Sequence, residues 1–143
     1  LEGSRRRLGT DYIDIVYVHD IGSYTYGADN YRHMEALRGS GMDYLIHQKE
    51  QGKIGAIGLG VNENEICLEI MHDYPLDAIL LAGRLTLLDR SAEEALVPLC
   101  QEAGTSLVLG GIFNSGILAT GPIEGATYDY TPASEAVLAA TGA

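Results

Sequence analysis

Apolar positions fall along this chain in short dense runs, separated by longer stretches in which they recur every three or four residues. The first run, Asp11 to Asp20 (DYIDIVYVHD), carries Tyr12, Ile13, Ile15, Val16, Tyr17 and Val18, broken only by Asp14. A run that is β-branched or aromatic on both faces predicts a strand buried in a parallel sheet. Ile54 to Val61 (IGAIGLGV), Asp77 to Ala82 (DAILLA) and Ser106 to Gly110 (SLVLG) repeat the pattern. The intervals read as helices. Asp29 to Lys53 is helical with a break at Gly39-Ser40-Gly41, and Met42, Leu45, Ile46 and Lys49 make its inward stripe. Asn62 is an N-cap for a helix to about His72, with Glu65 at the third position of a capping box. Ser91-Ala92-Glu93-Glu94 opens a helix to about Ala103 in the same way, with Pro98 inside it and Gly104 ending it. Arg5-Arg6-Arg7 before Leu8-Gly9 reads as a last helical turn, where cations complement the dipole and glycine stops the helix. Residues 122–143 lack clear periodicity and are expected to form a weakly structured tail, with an alanine-rich helix candidate from Pro132 to Ala140.

Strand and helix alternate four times, which predicts an α/β fold with a parallel sheet and right-handed crossovers. Two architectures fit: a doubly wound open sheet, or part of a (β/α)8 TIM barrel. A whole barrel takes ~250 residues, so residues 1–143 would be a single, incomplete barrel domain of about four βα units.

Charge and composition narrow the partners. A net charge of −11, from 20 acidic against 9 basic residues, argues against nucleic acid or an anionic membrane as partner. No apolar run approaches the ~20 residues of a membrane helix, and no signal-peptide pattern follows the arginines. Cys67 and Cys100 sit on predicted helices in apolar settings and read as reduced core residues. The cytoplasm is the expected compartment.

Candidate chemistry lies where the strands stop. In parallel α/β folds the side chains just past a strand's carboxyl end face the ligand crevice, and the first strand ends on His19-Asp20. The histidine could orient or protonate a carbonyl oxygen. Gly58-Leu59-Gly60-Val61-Asn62-Glu63 lacks the third glycine of a dinucleotide fingerprint, yet places a ligand close to Asn62. Gly110-Gly111-Ile112-Phe113-Asn114-Ser115-Gly116 can turn several backbone N–H groups toward one anion such as a diphosphate. His33, His47 and His72 have no ligand spacing, so no metal site is expected.

The segments RLGTDYIDIVYVHD, QGKIGAIGLGVNE, DAILLAGRLTLLDRSAEEALVPLC and GGIFNSGILATG, spanning roughly residues 5 to 121, together resemble the aldo-keto reductase family, in its aldose (L-fucose-like, D-threo-aldose) 1-dehydrogenase branch. The resemblance implies a (β/α)8 barrel of which these strands are the fourth to the seventh. It implies hydride transfer between NAD or NADP and a carbonyl or hemiacetal carbon, with a small sugar or carbonyl compound as substrate. His19 matches the family histidine that holds the reacting oxygen. Asn62 resembles the asparagine that binds the nicotinamide carboxamide, although the chain reads GVN where the commoner pattern is Ser-Asn. Phe113, Asn114, Ser115 and Gly116 match the loop that grips the diphosphate, and Gly111 or Phe113 stands where a stacking tyrosine is usual. Asp20, Tyr24 and Tyr26 would line the sugar site.

None of the nine tyrosines lies in the family's acid/base tyrosine motif. The chain is therefore expected to be a fragment of an aldose dehydrogenase, inactive by itself, with two open sheet edges available for self-association. Two other readings stay open. One is a non-catalytic half-barrel that binds a partner or a nucleotide, the other a pyridoxal-type dehydrogenase of the same branch.

Overall fold

The computed structural model describes residues 1–142. Strands β1 (Ile13–His19), β2 (Ile54–Val61), β3 (Ala78–Ala82) and β4 (Ser106–Gly110) form one sheet in the order β1-β2-β3-β4, every pair parallel. Each strand lies beside the next one in the chain. That order is the wall of a barrel, since a doubly wound sheet reverses its order at a switch point. The chain is a partial (β/α)8 barrel.

Helix α1 (Glu2–Leu8) ends as its sequence predicts, with Arg5, Arg6 and Arg7 in the last turn and Gly9 at a φ of 67°. Short helix α2 (Ser23–Tyr26) and a 3-10 turn (Gly27–Asp29) follow β1 and lead into α3 (Asn30–Ala36). The expected break at Gly39-Ser40-Gly41 is not a break. A π-helical turn over Leu37–Gly41 carries the helix on into α4 (Met42–Glu50). Gly41 fits that wider turn because a Cβ there would press on the Ala36 carbonyl and the Leu37 side chain at 3.3 Å. The inner face of α4 is Met42, Leu45 and Gln48, all buried. Lys49, placed on that stripe by periodicity, is turned outward and pairs with Asp77 at 2.6 Å.

The core lies between the helices and the two central strands. Ile54, Ile57, Leu59 and Val61 of β2 and Ile79 and Leu81 of β3 are buried, against Ile66, Cys67 and Ile70 of α5 (Asn64–Asp73) and Leu96 and Cys100 of α6 (Leu96–Ala103). Burial pushes the Cys67 thiol up to about 12, so it is an inert core group. The outer strands are barer. Ile15 of β1 and Val108 and Leu109 of β4 are each more than two-fifths exposed.

Both expected capping boxes are differently made. Helix α5 starts at Asn64 with Glu63 in the cap position, so Asn62 lies one residue outside and caps nothing. Helix α6 starts at Leu96, not at Ala92, and residues 91–95 form turns. Proline explains this. With the helix beginning at Leu96, Pro98 falls in the first turn, where its missing N–H has no intrahelical partner to lose. Ser91 is then free to take another bond, accepting from the Asn64 amide at 3.0 Å.

A further short helix, α7 (Ile117–Thr120), precedes the segment expected as a tail, which itself holds a two-stranded antiparallel ribbon, β5 (Thr127–Tyr128) with β6 (Thr131–Pro132), and helix α8 (Glu135–Thr141). Ser134 caps α8 through its hydroxyl.

Candidate functional site

The C-terminal ends of the four strands carry the site. Parallel register puts His19 beside Gly60, Gly60 beside Leu80, and Leu80 beside Val108 in one row across the sheet. Adjacent strands stand about 4.8 Å apart, so His19 lies one strand from the Asn62 loop and three from the Gly111 loop, roughly 14 Å away.

His19 is largely exposed, and its Nδ1 lies 3.2 Å from Asp20 Oδ2. A proton on Nδ1 answers that carboxylate and leaves Nε2 as the acceptor for a hydroxyl group. Asp20 reaches this position through a left-handed backbone, φ 56°, with its N–H donated to the Gly60 carbonyl at 2.8 Å. A non-glycine residue held at positive φ beside a strand's carboxyl end is strain of the kind found at working sites. Gly60 makes room for the imidazole, because a Cβ there would lie 3.2 Å from His19 Cδ2.

A cleft of about 270 Å³ opens beside His19, lined by Val18, Ile21, Tyr26, His33, Leu37 and Gly41 among others. The Tyr26 and His33 rings stack on one another in its wall, 3.8 Å between centroids. Tyr24 faces elsewhere: its ring covers the Arg84 guanidinium at 5.9 Å. Burial and the nearby Asp129 carboxylate push its phenol upward. So of the three expected substrate residues, Asp20 and Tyr26 stand with His19 and Tyr24 does not.

A second cleft, about 140 Å³, is lined by Asn62, Ala82, Gly83, Gly111, Asn114, Ser115, Asp129 and Tyr130. It gathers four of the expected cofactor residues from two loops far apart in the chain. Asn114, Ser115 and Gly116 stand at positive φ in succession, 45°, 58° and 96°; the Asn114 and Gly116 N–H groups donate to the Gly111 and Phe113 carbonyls at 2.8 and 3.0 Å, so of the three only the Ser115 N–H is left to meet an anion. Asn114 is buried; its Nδ2 donates to the Gly83 carbonyl at 3.4 Å while its Oδ1 has no hydrogen-bond partner. A buried acceptor left unmatched costs ~1–3 kcal/mol, and its residue is among those that line this cleft. Phe113 is more than half exposed and lies outside the lining. The volume is below the ~300–1,000 Å³ of a complete small-molecule site; the cleft holds one part of a ligand.

The residue that sequence reasoning missed is Arg84. From the loop after β3 it donates Nε to the Asn62 carbonyl at 2.7 Å, and its terminal nitrogens to Asp89 at 2.9 Å and Asp129 at 2.6 Å. Its side chain is 13% exposed. Burial works against its charge, but the two carboxylates more than compensate and raise its pKa. Glu63 was missed as well: it accepts from the Ser23 hydroxyl at 3.1 Å and the Tyr24 N–H at 3.2 Å, tying the loop after β1 to β2. No motif marks either residue, because apart from Asp89, five positions after Arg84, their partners lie 22 to 45 positions away.

A larger hollow, about 530 Å³, lies at the opposite end of the sheet among Arg5, Arg6, Thr10, Asp11 and Lys53. Residues at the N-terminal face of such barrels serve stability, not chemistry. Among the described residues there is no cluster of histidine, cysteine and carboxylate able to hold a metal ion, and no helix is long and apolar enough to cross a membrane.

A wall of successive parallel strands, with a histidine and a polar cleft at their carboxyl ends, has the layout of the ligand face of a (β/α)8 barrel. The sequence profile of the Aldo/keto reductase family matches residues 1–137, and the chain belongs to that family. It is 42% identical over 98% of its length to the pyridoxal 4-dehydrogenase of Microbacterium luteolum, covering 41% of that protein. It is 33% identical over 89% of its length to a D-threo-aldose 1-dehydrogenase of a Pseudomonas species, covering 36% of it. Among solved structures, aldo-keto reductase AKR11C1 from Bacillus halodurans superposes with a TM-score of 0.61 at 30% identity, over 91% of this chain and 39% of that one. The chain thus spans about two-fifths of the length of the relatives it matches.

Proposed function

We propose that this chain forms the oxygen-orienting and cofactor-holding part of an NAD(P)-dependent dehydrogenase, acting at the anomeric carbon of an aldose. The observation that carries the reading is the convergence of Asn62, Gly111, Asn114 and Ser115 on one cleft at the carboxyl ends of the strands. A bound nicotinamide would supply the hydride acceptor or donor. Asn62 would hold its carboxamide, and the glycine-rich turn around Asn114 and Ser115 would face the diphosphate with the Ser115 N–H. His19 would accept the sugar hydroxyl at Nε2, with Asp20 fixing the ring.

A second substrate is favoured by a specific feature. The cleft beside His19 is walled by the stacked Tyr26 and His33 rings and by apolar Ile21 and Leu37, surroundings that suit a flat aromatic ring such as pyridoxal. The relative named pyridoxal 4-dehydrogenase is also the more similar of the two dehydrogenases.

Titrating NADH into the purified chain and following nicotinamide fluorescence tests the cofactor side. Saturable binding, weakened at least several-fold by Asn114→Ala, is expected. A chain that binds neither NADH nor NADPH would sink the proposal.

A further inference from the structure

Resting on that reading of the cleft, we infer that Arg84 is a positioning residue that sets the Asn62 main chain and shuts the C-terminal ribbon against the cofactor cleft. Three acceptors surround its guanidinium in different directions: the Asn62 carbonyl after β2, Asp89 in its own loop, and Asp129 between β5 and β6. Each takes a different nitrogen. Two carboxylates against one cation leave no positive charge to spare for an incoming phosphate, so Arg84 is committed to protein partners. Its own backbone is pinned too, because the Ala92 N–H donates to the Arg84 carbonyl at 3.1 Å, just ahead of α6.

The geometry requires arginine. A lysine ammonium is a point charge that can follow one carboxylate but cannot span three acceptors, whereas the planar fork holds all of them at once. Fixing the Asn62 carbonyl fixes the peptide plane from which the Asn62 side chain leaves, one residue before Glu63 begins to hold the Tyr24 loop. On the other side, the ribbon held by Asp129 also donates the Tyr130 N–H to the Ser115 hydroxyl at 3.2 Å. One buried cation therefore sets both halves of the cleft.

The test compares the wild-type chain with Arg84→Lys, Arg84→Gln and Asp129→Asn by hydrogen exchange in the nucleotide-free state and by NADH titration. Both Arg84 variants are expected to raise exchange at residues 61–64 and 127–131 together and to weaken NADH binding about tenfold, the loss of a charge-assisted bond. Asp129→Asn is expected to loosen 127–131 alone. Weakened NADH binding with unchanged exchange at 61–64 would overturn the inference in favour of direct contact with the nucleotide. Loosened loops with unchanged NADH affinity would also overturn it. If the loops respond as expected but the wild-type chain binds no nucleotide, the Arg84 clamp stands and the nucleotide reading of the cleft falls. Arg84→Lys guards against the trivial result, since a folded, charge-keeping variant must still show the effect.

Discussion

Lys49 reaches from the last turn of α4 to place its Nζ 2.6 and 2.7 Å from the two carboxylate oxygens of Asp77, at the foot of β3. The same carboxylate accepts the Ile57 N–H of β2 at 2.8 Å, and the Asp77 carbonyl accepts the Ser106 N–H of β4 at 2.9 Å. One residue thus joins three strands and a helix at the end of the sheet away from the site. Burial pushes its carboxyl upward, but the Lys49 ammonium and the Ile57 N–H outweigh burial and hold it below the usual carboxylate range. A carboxyl with a depressed folded-state pKa stabilises the fold above its unfolded value, about 3.9. That contribution is lost as pH falls through the lower folded value. Asp77→Asn is expected to flatten the acid limb of stability below about pH 4, read from urea midpoints across pH. Superimposable curves for the two proteins would rule the contribution out.

Gly58 and Gly60 share β2 but not the same freedom. A Cβ at Gly58 would run into the Ala78 carbonyl and lie 2.9 Å from the Tyr17 ring, both in the adjoining strands. At Gly60 it would press on the edge of the exposed His19 imidazole at 3.2 Å and touch Tyr17 and Leu80 at ordinary contact distance. Gly58→Ala is expected to cost about 1–3 kcal/mol, the usual penalty of overpacking. Gly60→Ala is expected to leave stability near wild type while moving the His19 ring, seen as a shift of its imidazole proton resonances. Equal losses at the two sites would contradict this.

Proton transfer during hydride chemistry needs a group whose pKa lies near the working pH. Burial and nearby carboxylates move the Tyr24 and Tyr128 phenols upward, away from that range. Among the described residues no tyrosine hydroxyl bonds a lysine. The 143-residue polypeptide is therefore expected to show no NAD(P)-linked oxidation of aldoses or of pyridoxal. Turnover by a mass-verified preparation would show that it contains its own acid/base group.

Strands β1 and β4 border the sheet with half-exposed apolar side chains, and unpaired edges of this kind invite pairing with other chains. Light scattering of the isolated chain is expected to give at least twice the monomer mass. Val108→Lys, a charge on the β4 edge, should lower it. A monomer at all accessible concentrations would remove self-association from consideration.

The strands were readable because each is a compact β-branched run, and the helix ends at Gly9 and Gly104 because a left-handed glycine leaves a local mark. What misled was also local. Asn62 and Ser91 have the sequence of N-caps, yet α5 starts late enough to put Glu63 in the cap position, and the Ser91 hydroxyl accepts from the distant Asn64 amide instead. Gly39-Ser40-Gly41 reads as a stop, but packing against Ala36 and Leu37 turns it into a π-helical swelling. The site was half legible. Strand ends announce His19 and the Gly111 loop, whereas Arg84 is recognisable only once residues 62, 89 and 129 have been folded around it.

Because every strand pairs only with its immediate predecessor and successor in the chain, the sheet behaves thermodynamically like a short linear array, in which each unit is held by its nearest neighbours. Loosening should therefore begin at the borders and travel inward one unit at a time. Native-state amide exchange should show its slowest protons in β2 and β3, with β1 and β4 opening first. Uniform protection across the four strands would instead mark the sheet as a single cooperative block.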